Sequence, residues 1–242
     1  MNEKSTLLLS LQKKNHYRIK LKNLVGNLFK GNNDIIINEQ GIENLTPLRK
    51  AYDGITKFGV NGFNDFEIDL PEKTHHLDQT LFTLEFNNLL KKFILNPCNL
   101  RLNEDDFLIF VKVENHLIIE QKLLFSLGEV DFSVEPKDNF VLCIEMNSNN
   151  HKDIYSFGSL KKIIRIGRCK ECDIILKGAA FSRIQCTLFF NEEDNSWYIK
   201  DGDGISGKES MNGTWLYINF PFQINFENKF RIGKNLIEIK YI

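Results

Sequence analysis

The stretch that decides the fold runs from Ile163 to Leu176 and reads IIRIGRCKECDIIL. It holds two short apolar runs, Ile163–Ile166 and Ile174–Leu176, whose isoleucines are β-branched and therefore favour strands. The residues between the runs include glycine and charged side chains, as is typical of a turn. The stretch predicts two strands joined by a turn.

Short apolar runs of the same kind recur along the chain, and turn residues separate them. Clear examples are Phe140–Ile144, Thr187–Phe190, Trp197–Ile199 and Leu236–Ile239. Several short strands at regular spacing are typical of an all-β sandwich or barrel. The one stretch with a helical pattern, Ile42–Tyr52, is weak, so we predict an all-β protein.

The two halves of the chain also resemble each other. The segments that correspond are Ile163–Arg168 with Ile55–Val60, Cys172–Leu176 with Asp65–Leu70, Thr187–Asn191 with Thr83–Asn87, and Phe230–Gly233 with Phe125–Gly128. A repeat of about a hundred residues indicates a duplicated domain, since solenoid units are much shorter. We predict two β-sandwich domains in tandem, residues 1–134 and 135–242, joined at Ser133–Asp138, with a polar hairpin loop at Asn147–Lys152.

Five motifs follow one another in the second half: Gly167-Arg168, Asp173-Ile174, Ser182-Arg183-Ile184-Gln185, Asn212-Gly213-Thr214 and Ile232-Gly233. In this order and spacing they resemble the forkhead-associated (FHA) family. The resemblance implies that residues 135–242 form an FHA domain, a β-sandwich that recognises phosphothreonine.

The same resemblance implies a set of phosphopeptide-binding residues: Arg168, Ser182, Arg183 and Asn212. Arg168 would bind the phosphate through its planar guanidinium, which suits phosphate oxygens. Ser182 would donate its hydroxyl to a second phosphate oxygen, and Asn212 would hold the peptide backbone beside the phosphothreonine. We expect all of them on loops at one end of the sandwich.

Some positions depart from the family pattern. Gln185 stands where the family has a histidine that braces the binding loops, and a Gln can also donate and accept hydrogen bonds. Met211 replaces a frequent threonine, and the loop Asp201–Glu209 is longer than usual and could alter or block the site. In the first half Val60 replaces the arginine and Asp78 the serine, so we expect a degenerate FHA-like domain.

Two other motifs suggest chemistry that we do not expect. Gly202–Gly207 matches G-x-G-x-x-G, but a strand follows it where a dinucleotide site needs a helix. Cys169 and Cys172 have zinc-knuckle spacing without a second ligand pair nearby. We therefore predict no catalytic residues, no metal, no cofactor and no enzymatic activity.

Composition limits the partners. The chain has 242 residues with 31 basic and 32 acidic side chains and a net charge of −1, which argues against general nucleic-acid binding. No apolar run is long enough to span a membrane, and residues 1–15 carry no signal-peptide pattern. Five scattered cysteines indicate a reducing, intracellular compartment, cytoplasmic or nuclear.

Two functions compete at this point. The leading prediction is a non-catalytic adaptor that binds phosphothreonine in a partner protein. The alternative is a structural scaffold subunit of a larger assembly, in which FHA-like domains dock partners without phosphate.

Overall fold

The computed structural model of the chain describes residues 17–29, 34–43, 53–60, 64–68, 79–98, 108–138, 140–148 and 151–242. These residues form 21 strands and no helix, which confirms the all-β prediction. The first eleven strands are β1 Arg18–Val25, β2 Ile35–Asn38, β3 Gly41–Ile42, β4 Ile55–Val60, β5 Phe66–Glu67, β6 Gln79–Asn87, β7 Lys92–Pro97, β8 Ile109–Lys112, β9 His116–Ile118, β10 Leu123–Leu127 and β11 Val130–Pro136. The remaining ten are β12 Val141–Ser148, β13 His151–Gly158, β14 Ile163–Gly167, β15 Ile174–Ile175, β16 Cys186–Asn191, β17 Ser196–Asp201, β18 Trp215–Tyr217, β19 Phe222–Gln223, β20 Glu227–Ile232 and β21 Asn235–Tyr241.

The chain divides into two compact units, and each takes segments from both halves of the sequence. The first unit comprises Met1–Leu100, Pro221–Glu227 and Ile237–Ile242, and the second comprises Arg101–Phe220 and Asn228–Leu236. The first unit therefore contains β19 and most of β21, and the second contains β8–β11. Each unit thus contains strands from the part of the sequence that forms most of the other unit, and we call this the exchange of strands.

The first unit holds two sheets around a phenylalanine-rich core. Part of one sheet has the order β3-β2-β1-β21, and a separate five-stranded sheet has the order β5-β4-β6-β7-β19. Alternate residues of β1 and β2 point inward because successive side chains of a strand face opposite sides. On the second sheet Phe58 stacks on Phe82 with ring centroids 4.6 Å apart. The exchanged strand β21 is connected to β7 by a hydrogen bond of 2.9 Å, which the Tyr241 hydroxyl accepts from the Phe93 amide.

The second unit is also built from two sheets. Part of one sheet has the order β13-β12-β11-β10-β18-β8-β20, and a separate five-stranded sheet has the order β15-β14-β16-β17-β9. Buried aliphatic side chains of β12 and β14, including Ile144 and Ile164, alternate with half-buried ones along each strand. Trp197 and Trp215 are both buried in the core of this unit.

The prediction of the interdomain joint at Ser133–Asp138 is wrong. Ser133–Pro136 belong to β11, which pairs on one side with β10 and on the other with β12. Proline fits there because Pro136 is the last residue of the strand. The compact units divide after Leu100 rather than at the predicted 134/135 boundary, while the assignment of residues 1–134 to a degenerate FHA-like domain stays a prediction.

Two other expectations meet the structure only in part. The hairpin predicted around Asn147–Lys152 is confirmed, since Ser148 pairs with His151 across its turn. The weak helical pattern at Ile42–Tyr52 begins in strand β3, and residues 44–52 lie outside the described residues.

The repeat is visible in the backbone. Strands β4 and β5 pair in parallel through Phe58 and Phe66, as β14 and β15 do through Ile166 and Ile174. The turn of each pair is closed in the same way by an aspartate carboxylate. The Lys57 amide donates to Asp65, and the Arg165 amide donates to Asp173. This matched geometry supports the proposal of a duplicated domain.

Candidate functional site

Gly167, at the end of β14, brings two loops of the second unit into contact. A Cβ atom added there would lie 2.4 Å from the carbonyl oxygen of Arg183, so only glycine fits. The loops are joined by two backbone hydrogen bonds of 3.1 Å each, from the Arg168 amide to Ser182 and from the Cys169 amide to Arg183. Residues 168–169 and 182–183 are thereby held side by side, although 14 positions separate Arg168 from Ser182 in the sequence.

These two loops open into a cavity of about 810 Å³ that the loop Asp203–Glu209 closes on its other side. Arg168, Ser182 and Arg183 all line it, as the sequence predicted for neighbouring residues of one site. The Arg168 side chain is exposed and has no hydrogen-bond or ion-pair partner in the described part of the chain. The long loop therefore forms a wall of the cavity and leaves Arg168 accessible.

Ser182 and Asn212 are fixed by hydrogen bonds that leave part of each side chain free. The Met211 amide donates to Ser182 Oγ over 2.8 Å, which leaves the hydroxyl proton of Ser182 available. Asn212 Nδ2 donates to the Ala180 carbonyl over 2.9 Å and leaves Oδ1 as an acceptor. Asn212 is exposed at the edge of the site and is not among the residues that line the cavity.

The buried side chain of Gln185 stabilises the loops of the site through hydrogen bonds. It is 1% exposed, and its Oε1 accepts a 3.0 Å hydrogen bond from the Ser182 amide. Its Nε2 donates to Ser210 Oγ over 2.7 Å and to the Gly213 carbonyl over 3.2 Å. One amide side chain thus ties together the loops that carry Ser182 and Asn212, as expected from its capacity to donate and accept.

A second set of buried polar groups holds the long loop, and sequence reasoning missed it. Asp201 is 4% exposed and accepts hydrogen bonds from the Ser210 amide, the Ser210 hydroxyl and the Thr214 hydroxyl, at 3.0, 2.7 and 2.7 Å. Thr187 Oγ1 donates to the Gly202 carbonyl over 2.7 Å and accepts from the Gly204 amide over 3.0 Å. The loop is therefore anchored at both ends and laid against β16.

The only sequence signal for this anchoring was weak. Asp201 stands at the end of an apolar strand, where an aspartate often begins a turn. Thr187 stands in an apolar strand where a β-branched residue is unremarkable. The sequence does not indicate that the side-chain oxygens of these two residues form hydrogen bonds with the loop.

Comparison with known protein families gives one result for this part of the chain. A family model described as "FHA domain" matches residues 164–237. The chain contains an FHA domain. The match spans about the last third of the chain and includes all four predicted site residues. No curated protein matches the chain, and no solved structure matches it.

FHA domains in general are phosphopeptide-binding modules of protein–protein interaction and are generally non-catalytic. The matched range starts inside β14 and ends inside β21, so it crosses from the second compact unit into the first and back. Within the second unit, β8, β9 and β10, which precede the matched range in the sequence, pair with β17 and β18 inside it.

The cavity of the FHA domain is rich in unpaired positive charge. Its cationic side chains are Arg165, Arg168, Arg183 and Lys208, and its acidic side chains are Glu171, Asp203 and Glu209. None of the four cations forms a hydrogen bond or an ion pair through its side chain within the described residues. The groove therefore offers guanidinium and ammonium groups to an incoming anion.

The three carboxylates are engaged locally. Glu209 forms a 3.2 Å ion pair with Lys112. A 2.7 Å hydrogen bond from the Ser206 hydroxyl is the main cause that lowers the pKa of Asp203. A hydrogen bond from its own backbone amide, with a further one from Cys169, lowers the pKa of Glu171. The local partners of these carboxylates offset part of their repulsion of an anion.

Cys169 and Cys172 form the turn after Arg168. Their Sγ atoms lie 3.0 Å apart, and both cysteines are free. Burial, followed by the neighbouring Cys169, raises the pKa of the Cys172 thiol to about 12, so this thiol stays protonated at neutral pH. Among the described residues no group of three or more histidine, cysteine and acidic side chains could hold a metal.

No helix in the described residues is long and apolar enough to cross a membrane.

Proposed function

We propose that this protein is a non-catalytic adaptor that binds phosphothreonine in a partner protein through Arg168, Ser182, Arg183 and Asn212. The observation that carries the proposal is the unpartnered, exposed guanidinium of Arg168 at the mouth of a cavity that Ser182 also lines. A phosphothreonine brings a charge of about −1.5 to −2 and three acceptor oxygens to such a site.

The hydrogen-bond inventory fits the proposal. Arg168 can donate two parallel hydrogen bonds to a phosphate, and the Ser182 hydroxyl can donate a third, because its oxygen already accepts from Met211. The free Oδ1 of Asn212 can accept from the peptide backbone. Charge-assisted hydrogen bonds contribute about 1.5–3 kcal/mol each, so a few of them suit reversible binding near a micromolar Kd.

Preorganisation also supports the proposal. Gln185 fixes the loops of Ser182 and Asn212 with three hydrogen bonds, so these loops need little ordering when a ligand binds. Arg168 is held by the backbone contact at Gly167. The remaining entropic cost is mainly that of the long Arg168 side chain.

The test is a binding assay with peptide libraries that carry threonine, phosphothreonine or phosphoserine at a fixed position. We expect the full chain to bind phosphothreonine peptides and to ignore their unphosphorylated forms. Arg168→Ala removes the phosphate contact and is expected to abolish binding without lowering Tm, since the side chain is exposed and unpartnered.

The matched control is Lys170→Ala, which removes a neighbouring exposed cation that does not line the cavity. This substitution should leave the affinity for the phosphopeptide almost unchanged, because salt screens an exposed charge that lies outside the cavity. A library in which phosphorylation never changes binding would refute the proposal, and so would an Arg168→Ala variant with full affinity.

One observation favours the alternative function, a scaffold subunit that docks partners without phosphate. Met211 is 81% exposed beside Ser182, where many family members have a threonine able to touch the phosphate. An exposed thioether adds apolar surface and no donor. A stoichiometric complex that survives phosphatase treatment would support the scaffold function, and dissociation on treatment would support the adaptor function.

The cysteines support an intracellular setting for either function. All five are free thiols in the structure, as is usual for proteins of the reducing cytoplasm or nucleus.

A further inference from the structure

Arg165 lies in the same cavity as Arg168 but belongs to no part of the FHA motif. It is on β14, two residues before Gly167, and its side chain lines the cavity from the outer face of the sheet. Its Nε atom is buried and has no hydrogen-bond partner. A buried guanidinium nitrogen without an acceptor is unfavourable, which suggests that an acceptor arrives with a ligand.

The carboxylate of Asp203, which also lines the cavity, does not provide that acceptor. The positive charge of Arg165 contributes to the lowered pKa of Asp203, but the Asp203 oxygens accept from the Ser206 hydroxyl at 2.7 Å and the Ile205 amide at 3.1 Å. No hydrogen bond joins the two side chains. Arg165 is therefore held near a carboxylate that is already engaged, with its own donors still available.

The wall opposite Arg165 is fixed in place. Thr187, which pairs with Arg165 across β14 and β16, holds the long loop through its hydrogen bonds with Gly202 and Gly204. The same loop carries Lys208, whose side chain also lines the cavity without a partner. The groove thus has a second cationic region, between the strand and the anchored loop, apart from the Arg168–Ser182 pair.

We infer that Arg165, with Lys208, forms a second anion subsite, so that the preferred ligand is a phosphothreonine peptide with a further acidic side chain close to the phosphothreonine. This inference rests on the proposed phosphothreonine binding at Arg168. The subsite would accept the carboxylate of Asp or Glu, or a second phosphate, since a guanidinium pairs with either in a bidentate geometry. A ligand with two anions would also match the four unpaired cations of the groove.

The experiment compares phosphothreonine peptides whose flanking residues are neutral with peptides that carry one Asp, moved through every flanking position. Affinity is measured on the full chain by fluorescence anisotropy. We expect one or two neighbouring positions at which Asp strengthens binding about tenfold, the effect of one charge-assisted hydrogen bond. Arg165→Gln should remove this gain, so that the variant binds the Asp peptides and the neutral peptide with equal affinity.

Two further variants distinguish the loss of the second subsite from a folding defect. Arg165→Glu should reverse the preference, so that Lys at the same peptide position strengthens binding and Asp weakens it, which no loss of stability can mimic. Lys200→Gln is the matched control, because Lys200 lies two strands away in the same cross-strand row and does not line the cavity. It should keep the full gain from Asp.

The possible outcomes distinguish failure of the Arg165 subsite from failure of the proposed phosphothreonine binding at Arg168. Phosphothreonine binding without any gain from Asp, or a gain that survives Arg165→Gln, would overturn the subsite alone. An unphosphorylated acidic peptide or an oligonucleotide that binds as tightly as the phosphopeptide would overturn it in favour of a general anion groove. A wild-type chain that binds no phosphopeptide at all would overturn both proposals.

Discussion

The exchange of strands between the two units can be tested by cutting the chain in two places. A fragment of residues 135–242 corresponds to the FHA domain predicted from sequence, but it lacks β8–β11. A fragment of residues 101–236 contains every segment of the second compact unit. We expect the shorter fragment to be unfolded as an isolated chain and the longer one to fold cooperatively.

The magnitude follows from the side chains that the shorter fragment loses. Nine apolar residues of 101–134 are at most 5% exposed: Ile109, Val111, Val113, Ile119, Leu123, Phe125, Leu127, Phe132 and Val134. Their removal uncovers a comparable apolar area on the strands that remain. At about 1.5–3 kcal/mol for each buried side chain, the loss is well above 10 kcal/mol. A domain has a total stability of only about 5–15 kcal/mol, so the deletion exceeds what it can tolerate.

The assay is thermal unfolding followed by tryptophan fluorescence, because Trp197 and Trp215 are present in both fragments and are buried. We expect residues 101–236 to show a single transition and blue-shifted emission. Residues 135–242 should show exposed-tryptophan emission and no transition, unless residues 101–134 are co-expressed. A cooperative transition in 135–242 alone, near the Tm of the longer fragment, would refute the exchange of strands.

Three smaller perturbations test the site and its supports. Gln185→Leu removes the hydrogen-bond partner of the Ser182 amide, the Ser210 hydroxyl and the Gly213 carbonyl. The variant should therefore have a free energy of unfolding lower by about 1–3 kcal/mol and should bind phosphopeptides more weakly. Unchanged stability in urea denaturation would contradict this. Gly167→Ala places a methyl group 2.4 Å from a backbone oxygen and should lower Tm by several degrees, whereas the control Gly158→Ala, with open space around the added atom, should not. Burial raises the pKa of the Cys172 thiol from 9.0 to about 12. Alkylation of this thiol in the folded chain should therefore stay slow at pH 9 and become faster only towards pH 12, because the thiolate is the reactive form. Rapid labelling at pH 8, measured by mass spectrometry, would show that the thiol is not buried as described.

The sequence was informative where local chemistry alone determines structure. Runs of isoleucine, phenylalanine and valine form strands because branched and aromatic side chains suit a half-buried pleated surface. Glycine at 167 and the Ser182-Arg183 motif lie together because only glycine permits the approach of the two loops. The brace at Gln185 was foreseeable, since an amide can serve as both donor and acceptor in place of an imidazole.

The partition of strands between the units was not predictable from the sequence. Phe125–Gly128 and Phe230–Gly233 carry the same pattern, and both end in a glycine with positive φ. The strand that follows is in the second unit in one case, β11, and mostly in the first unit in the other, β21. Two segments with the same propensity and the same alternation fit either sheet equally well. The choice between them is decided by the connections and by packing over a long sequence separation, which local patterns do not record.

The anchored loop was unpredictable for a different reason. The hydroxyl of Thr187 could have faced solvent or a neighbouring strand, and only the folded chain shows that it meets Gly202 and Gly204. The Asp78 position and residues 69–78 of the first half lie outside the described residues, so the expected loss of its phosphate loop stays a prediction. Val60, the other altered position, is 4% exposed at the end of β4, where an apolar side chain packs well.

The exchanged strand β21 has a consequence for the order in which the protein is made. The first unit begins at the amino end, yet it is complete only when Asn235–Tyr241 have left the ribosome and Tyr241 has reached Phe93, 148 positions earlier. During most of its synthesis the unit that is translated first keeps an open sheet edge beside β1, which must be shielded from other chains. A stop codon before Asn235 would therefore remove a strand from the unit whose other strands were mostly synthesised first.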